Sequence, residues 1–144
     1  MADLLQRVLL LKDSAIFGEV PSDELRVVAT AMEEESYLRG DLLFEKHDYG
    51  DRMYIVTRGR VGIALNEPGE PREIIAEIGA GECVGEMAVI DGHARSATAL
   101  VLEDSDFLVI DKLRLTGLLT RYPQVALGML RGLSRRLRDA NAQR

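Results

Sequence analysis

Residues 85–98 contain the side chains best suited to hold a small charged ligand. Gly85 allows close approach to the main chain because it has no Cβ. Glu86 offers two acceptor oxygens to hydroxyl donors, and Arg95 offers a permanently charged planar fork to a phosphate. Ser96 adds a hydroxyl beside that fork. These residue types and their spacing indicate a site for a ligand with both hydroxyl and phosphate groups. A simple Glu86–Arg95 ion pair across a loop explains the same residues equally well.

The same stretch predicts the local structure that would position these side chains. Met87 to Ile90 is apolar and predicts a short helical turn, which is followed by a tight loop and then by a strand that Arg95 opens. A turn of helix led by glycine presents free backbone N–H groups, and such groups suit an anion. The backbone N–H groups of the helical turn and the guanidinium of Arg95 would then lie on either side of the tight loop.

Apolar residues at helical spacing predict helices before and after a central β region. Ser22 is the expected N-cap of the second helix, and Pro123 suits the first turn of the last one. The four helices are expected over residues 3–12, 22–34, 112–120 and 123–140.

The central region is rich in short apolar runs separated by polar turns, most of which contain glycine. Among the expected turns are Arg58-Gly59-Arg60 and Glu103-Asp104-Ser105-Asp106. Many short strands with turns every 8–12 residues predict an all-β sandwich or jelly roll. The expected strands cover residues 37–38, 42–44, 53–56, 61–65, 74–78, 98–102 and 107–110.

The order of residues in the first stretch resembles a known family. Gly85-Glu86-Met87-Ala88-Val89-Ile90, four further residues and then Arg95-Ser96-Ala97-Thr98 closely resemble the phosphate-binding cassette of cyclic nucleotide-binding domains. That family includes the bacterial catabolite activator protein, the regulatory subunits of cyclic AMP-dependent kinase and cyclic nucleotide-gated channels. Tyr54, Gly59 and Gly81 also stand where the family's β-roll commonly has an aromatic residue and two turn glycines.

The resemblance covers nearly the whole chain and implies one domain over residues 1–144. The implied fold is mainly β with flanking helices: a β-roll (a double-stranded β-helix jelly roll) with a short cassette helix inside it. In this interpretation the N-terminal helices, the β-roll, its cassette and the C-terminal helices occupy residues 1–34, 35–110, 85–98 and 111–144.

The resemblance also implies a role for each cassette residue. Glu86 would accept a hydrogen bond from the ribose 2′-hydroxyl, and Arg95 would pair with the cyclic phosphate, aided by the Ser96 hydroxyl. The predicted ligand-binding residues are Gly85, Glu86, Met87, Ala88, Arg95, Ser96 and Ala97. Cyclic AMP is favoured over cyclic GMP because Ser96 stands where cyclic GMP binders often carry threonine. Candidates to cap the base are Arg131, Arg135, Arg136 and Asn141.

The function implied is that of a regulatory sensor whose C-terminal helices reposition when the nucleotide binds. We expect no catalytic residue, cofactor or metal. The alternative is a ligand-free module of the same fold that dimerises through the stripe of Leu127, Leu130, Leu133 and Leu137. A cupin-like metal enzyme is disfavoured, because His47 and His93 are the only histidines and metal sites need several clustered ligands.

Composition limits the classes of partner that the chain is expected to bind. With 24 acidic and 18 basic residues among 144, the net charge is -6, which argues against a nucleic-acid surface unless the basic groups are concentrated. Transcription factors of the family continue into a helix-turn-helix domain after the last helix. Since this sequence carries none, we expect no specific DNA binding by the chain itself. The expected protein partner is either a second copy, bound through the C-terminal helix, or an effector domain in a longer protein.

Cysteine usage and hydropathy bear on the compartment. Cys83 is the single cysteine, so no intrachain disulfide can form, and its expected role is that of a small buried hydrophobe. The N-terminus lacks the order of a signal peptide, and no apolar run approaches the ~20 residues that span a bilayer. We therefore expect a cytoplasmic location and no membrane span.

Overall fold

The computed structural model describes residues 2–142 and divides into two compact units. A helical unit comprises the residues up to Met32 and those from Leu113 onward, and a β unit comprises Glu33–Lys112. The elements in chain order are α1 (Leu4–Lys12), α2 (Ser22–Ala31), β1 (Glu33–Tyr37), β2 (Leu42–Phe44), β3 (Arg52–Ala64), β4 (Ala76–Gly79), β5 (Cys83–Val84), α3 (Glu86–Asp91), β6 (Thr98–Asp111), α4 (Lys112–Arg121) and α5 (Pro123–Ala142).

The β unit is built on one antiparallel sheet. Its main path runs β1-β6-β3-β4, while β2 pairs with β6 and β5 pairs with β3. Alternate residues of a strand point to opposite faces, yet residues 53–56 of β3 and 107–110 of β6 are all buried, so both faces of the sheet are covered there. The core cluster consists of Tyr54, Val56, Val61, Val84, Ala99, Val101, Phe107 and Val109. The predicted mainly-β fold with flanking helices and a short helix in the cassette is confirmed.

Two of the expected turns are wrong, because β3 and β6 continue through them. Residues 53–56 and 61–65 were expected as separate strands, yet β3 is paired along its length, from Arg52 with Asp111 to Ala64 with Thr98. The register between the two strands shifts around Arg58 and Arg60. Such shifts mark β-bulges, which bend a strand without ending it. Short polar segments, with or without glycine, suit a bulge and a turn alike, and here the pairing between β3 and β6 selects the bulge.

Gly59 is the residue that makes this bend possible. Its φ is 105°, in the region that only glycine adopts without strain. A Cβ there would lie 1.9 Å from the Oγ of Ser105, which is fully buried. The Ser105 hydroxyl accepts a hydrogen bond from the Arg60 N–H (3.1 Å) and donates one to the Glu103 carbonyl (2.7 Å). The serine thus satisfies main-chain groups of both bent strands, and the glycine leaves room for it.

The boundaries of α2 differ from the prediction at both ends. Pro21, not Ser22, occupies the N-cap position, and its carbonyl accepts from the Leu25 N–H at 2.9 Å. The helix ends at Ala31 instead of near Glu34, because Met32 is extended and the next residue already pairs with Val109 of β6. Helical spacing alone therefore predicts a helix that is too long at its C-terminal end, because residues 33 and 34 pair in the sheet.

The N-terminal end of the helical unit is held by local polar contacts. Asp3 and Gln6 form a capping box at the start of α1, with bonds of 2.8 and 2.9 Å. The Arg7 guanidinium donates to the carbonyls of Met32 (2.8 Å) and Ala29 (3.2 Å). The Ala29 carbonyl also accepts from the Met32 N–H at 3.3 Å, so Arg7 adds a second donor there and bonds the C-cap carbonyl as well. α1 is thereby attached to the end of α2.

The Gly59–Ser105 contact predicts an unequal response of two glycines to the same change. Gly69 also has a positive φ, 92°, but a Cβ there would meet nothing within 4 Å. We expect Gly69→Ala to lower the free energy of unfolding by about 1 kcal/mol, the cost of a left-handed backbone. Gly59→Ala should lower it by roughly 1–3 kcal/mol more, because overpacking is added. Urea denaturation of both variants measures this difference, and equal losses would show that Ser105 moves aside freely.

Candidate functional site

The predicted cassette is a short helix between two left-handed glycines. Gly85 precedes α3 with a φ of 83°, and Gly92 follows it with a φ of 76°. The Gly92 N–H donates to the Ala88 carbonyl at 2.9 Å and closes the last turn. Both ends thus use glycine where a side chain would strain the backbone. The two glycines let β5, α3 and the loop before β6 turn back on one another.

The faces of α3 are distinct. Glu86, Ala88 and Val89 are buried, whereas the side chain of Met87 is 69% exposed. A carboxylate at 6% exposure, such as that of Glu86, is unusual, since charged groups are buried only where polar contacts compensate. Glu86 is therefore a constrained residue and not part of the solvated face.

Arg95 is the most tightly constrained charged residue of the cassette. Its side chain is 4% exposed. Nη1 donates to the Gly85 carbonyl at 2.7 Å, and Nη2 donates to the Arg52 carbonyl. The ring of Phe44 covers the guanidinium, with 4.0 Å from Cζ to the ring centroid. Two carbonyls and one aromatic face therefore fix the plane of the guanidinium.

The main chain of Arg95 is clamped as well. Its N–H donates to the Asp48 carbonyl, and its carbonyl accepts from the His47 N–H, both at 2.8 Å. Tyr49 and Ala94 form a β-bridge beside this pair. The loop of residues 45–51 therefore holds Arg95 in register through backbone groups alone.

The Nε edge of the guanidinium differs from the two Nη groups in its hydrogen bonding. Within residues 2–142, Arg95 Nε is buried and has no hydrogen-bond partner. A Cβ on Gly50 would lie 3.1 Å from Nε and 2.4 Å from the Ala88 Cβ, so any larger residue would crowd this edge. A buried donor without a partner is costly, and it is explained where a ligand supplies the acceptor. The chemistry of the edge, N–H donors on a cation, suits an anion.

The charges around Arg95 act in opposing directions. Burial lowers the pKa of the guanidinium below its ordinary value, and the nearby Tyr54, Asp51, Asp48 and Glu86 counteract that effect. An arginine stays protonated at physiological pH even so. The guanidinium is thus a permanent cation in a buried position, with carboxylates close enough to stabilise it.

The predicted residues are only partly brought together. Gly85 and Arg95 are joined by a hydrogen bond, and a Cβ on Gly85 would lie 2.4 Å from Nη1. Ser96 is exposed and Ala97 half-buried directly after Arg95, while Ala88 is buried near Gly50. The Met87 side chain is exposed. Its predicted contact with the phosphate therefore depends on its backbone N–H.

Sequence reasoning missed a polar cluster on the sheet. The Arg52 guanidinium forms an ion pair with Glu35 and lies 5.4 Å from the centroid of Tyr54. The Tyr37 hydroxyl donates to Glu35 at 2.6 Å, and burial raises the pKa of Tyr37 well above its ordinary value. Arg52 and Tyr54 share one face of β3 by their spacing of two, which was the available signal.

The remaining polar candidates have structural surroundings. The His47 ring contacts the Glu67 carboxylate at 2.6 Å, and Cys83 is buried in β5. In the described part of the chain no three His, Cys, Asp or Glu side chains gather where they could hold a metal ion. Among those same residues, no helix has the length and apolar character needed to cross a membrane.

Comparison with known proteins places this geometry in a family. The family described as "Cyclic nucleotide-binding domain" matches residues 34–122. The "Cyclic AMP receptor protein" of Thermus thermophilus is 30% identical over 133 residues, which cover 92% of this chain and 62% of that protein. A "CRP-like cAMP-activated global transcriptional regulator" of Mycobacterium tuberculosis is 25% identical over 132 residues, 92% of this chain and 59% of the relative. The chain thus spans about 60% of the length of these relatives.

A solved structure agrees with the sequence match. The N-terminal domain of a transcriptional regulator from Streptomyces coelicolor A3(2) superposes with a TM-score of 0.79 at 32% identity. The similarity covers 92% of this chain and 95% of that one. The predicted resemblance is confirmed: the chain belongs to the cyclic nucleotide-binding domain family.

Proposed function

We propose that the chain binds a cyclic nucleotide, with cyclic AMP preferred to cyclic GMP, and acts as a regulatory domain without catalysis of its own. The observation that carries the proposal is the Arg95 guanidinium, buried and fixed by two carbonyls while its Nε has no partner within residues 2–142. Family membership and the printed names of the relatives, a cyclic AMP receptor protein among them, support the same ligand.

Arg95 would bind the cyclic phosphate through its Nε edge. Nη2 lies on the same side of the guanidinium as Nε and has a second hydrogen beyond the one given to the Arg52 carbonyl. Two parallel N–H donors in one plane match two phosphate oxygens. Since Phe44 and the carbonyls already fix that plane, little side-chain entropy remains to be lost on binding.

The other cassette residues would complete the contacts. Glu86 would accept from the ribose 2′-hydroxyl, and Gly85 would let the sugar approach the main chain. The Ser96 hydroxyl and the N–H groups of Met87 and Ala88 would add donors around the phosphate, with Ala97 beside them. Preference for cyclic AMP rests on Ser96, where cyclic GMP binders of the family often carry threonine.

Binding would act as a switch through the C-terminal helices. A ligand shifts a conformational equilibrium only by its differential affinity for the two states. In this proposal the phosphate draws the cassette around itself and the C-terminal helices reposition, with Arg131, Arg135, Arg136 or Asn141 capping the base. Arg135 forms an ion pair with Glu19 at 2.5 Å, a contact that would have to break if Arg135 were the cap.

A second candidate function is a ligand-free module that dimerises through α5. Leu127, Leu130 and Leu137 of α5 are exposed, by 42%, 61% and 63%. Leu133, the remaining residue of the expected stripe, is half-buried. The exposed positions 127, 130, 134 and 137 repeat at intervals of three, four and three residues, which is the spacing of a coiled-coil seam. A homodimer through this stripe, or a contact with an effector domain in a longer protein, is compatible with nucleotide binding as well.

The first prediction of the proposal concerns Arg95→Lys. Lysine keeps the charge but cannot bond two carbonyls and present a planar edge, so we expect cyclic AMP affinity to fall at least tenfold, about 1.4 kcal/mol. The same change should lower the free energy of unfolding by about 1 kcal/mol, because a carbonyl bond and the stacking on Phe44 are lost. Calorimetric titration and urea denaturation measure the two effects separately.

Arg58→Lys is the matched control for this experiment. Arg58 lies on the same sheet and forms an exposed ion pair with Asp106, so both affinity and stability should stay close to those of the parent protein. Native affinity in Arg95→Lys would remove the phosphate role. No heat with either cyclic nucleotide in the parent protein would favour the ligand-free module.

A second prediction separates the roles of Glu86 and Arg95. Glu86→Gln keeps an oxygen that can accept from a hydroxyl, so it should weaken cyclic AMP binding less than Arg95→Lys does. Competition against a labelled cyclic nucleotide gives both affinities in one assay. A larger loss for Glu86→Gln would mean that the carboxylate acts mainly through its charge on Arg95, not on the sugar.

A third prediction concerns the leucine stripe of α5. Leu130→Glu replaces an exposed leucine, so it should leave the monomer fold intact and abolish any dimer that uses the stripe. Sedimentation of the parent protein and of the variant, with and without cyclic AMP, measures this. A monomeric parent protein in both conditions would contradict the dimer.

A further inference from the structure

The helical unit has a groove of about 640 Å³ that the nucleotide site does not use. Its walls come from α1, α2 and α4, all within the helical unit. Apolar side chains form much of the lining: Leu4 of α1, Val27 of α2, and Leu118 and Tyr122 at the end of α4. Leu4 lines this groove and is 39% exposed. The groove is therefore an apolar surface in contact with solvent.

The charges of the groove have one sign. Arg26, Arg114 and Arg121 line it, and no acidic residue does. This segregation occurs in a chain with an acidic excess of six charges. Within residues 2–142, neither Arg26 nor Arg121 forms an ion pair with a carboxylate. The guanidinium of Arg121 lies 5.8 Å from the ring centroid of Tyr122. The groove thus combines an apolar floor with a positive rim.

A glycine in the middle of α4 is the second unusual feature. Gly117 lines the groove, and a Cβ there would meet no heavy atom within 4 Å. Glycine is the least favourable ordinary residue inside a helix, so alanine would serve the fold better at this open position. A glycine at such a place is explained where another backbone must approach closely.

An exposed leucine extends the groove along α4. Leu113 is 85% exposed and stands four residues before Gly117, and Arg121 stands four residues after it. Residues four apart lie on one face of a helix. Leucine, glycine and arginine therefore form one stripe of α4, apolar at one end and positive at the other.

We propose that this groove docks an amphipathic helix of a partner protein, with an apolar stripe along one side and acidic residues beside it. The helix would pass over Gly117, bury its apolar stripe against Leu4, Val27 and Leu118, and place carboxylates at Arg26 and Arg121. Amphipathic helices bind grooves in this manner, with charge complementarity selecting the partner.

The shape and charge of the groove favour this occupant over two others. The exposed Gly117 allows the backbone of a helix, about 10 Å across, to approach α4 closely, whereas a membrane surface presents no backbone that would need such an approach. The apolar stripe of α5 in a second copy is flanked by Arg131, Arg135 and Arg138, which are positive and would be repelled. An acidic helix of a different protein meets both requirements.

The test uses the full chain labelled with ¹⁵N, free of nucleotide, and a synthetic helical peptide of about 18 residues, or five turns. The peptide carries leucines at helical spacing flanked by glutamates, and a matched peptide carries lysines instead. We expect the acidic peptide to bind, with amide shift changes confined to α2, α4 and the start of α1. The lysine peptide should bind at least tenfold more weakly.

Variants of the groove locate the site. Gly117→Leu improves helix propensity but places a side chain where the peptide backbone would approach α4, so affinity for the acidic peptide should fall at least tenfold while α4 stays folded. The double change Arg26→Glu with Arg121→Glu should have the same effect through the rim. Arg39→Glu with Arg72→Glu carries the same charge change at exposed positions of the β unit and should leave the affinity within twofold.

The outcomes separate this proposal from the nucleotide site. Arg95→Lys should bind the acidic peptide as the parent does, whatever its affinity for cyclic AMP. The proposal is overturned if both peptides bind equally, if Gly117→Leu binds the acidic peptide as tightly as the parent, or if shift changes lie outside the groove. It is overturned equally if vesicles with anionic lipid, or a second copy of the chain, occupy the groove in place of the peptide.

Discussion

The hydrogen bonds from Arg95 to two main-chain carbonyls are the interaction on which the cassette depends. They join the turn before α3 to the beginning of β3, two segments that are far apart in the sequence. A buried cation must have such partners, because its desolvation is otherwise too costly. The same residue therefore holds the loop together, and in the proposed function its Nε edge would also face the phosphate.

Glycines provide the space that this arrangement needs. At Gly85 a Cβ would collide with Nη1 of Arg95, and at Gly50 it would collide with Ala88. Only Gly85 of the two also has a positive φ, so the two positions exclude side chains for different reasons. Steric room around the guanidinium therefore depends on two glycines, one inside the cassette and one in the loop before β3.

Local patterns predicted what is local in the structure. The cassette helix and the glycine that leads it follow from a continuous stretch of sequence, and so does the existence of the other four helices, although α2 is shorter than predicted. The carbonyl of Arg52, the ring of Phe44 and the clamp by residues 47 and 48 could not be predicted, because they approach Arg95 through tertiary pairing. The bulge at Gly59 was missed for a related reason, since glycine with polar neighbours has the same local pattern in a turn and in a bent strand.

The long pairing of β3 with β6 has a consequence for the kinetics of folding. Arg52 pairs with Asp111 and Ala64 with Thr98, so the intervening segments must form one large loop before any of these contacts exists. Closing such a loop costs entropy early, and sheets dominated by distant pairs fold in milliseconds to seconds. The cassette lies inside this loop, whereas the carbonyl of Arg52 stands at the start of the loop and the backbone clamp of residues 47 and 48 precedes it. A peptide of residues 85–98 therefore contains the recognisable motif but lacks the contacts that shape it, and the binding geometry arises only as the whole sheet closes.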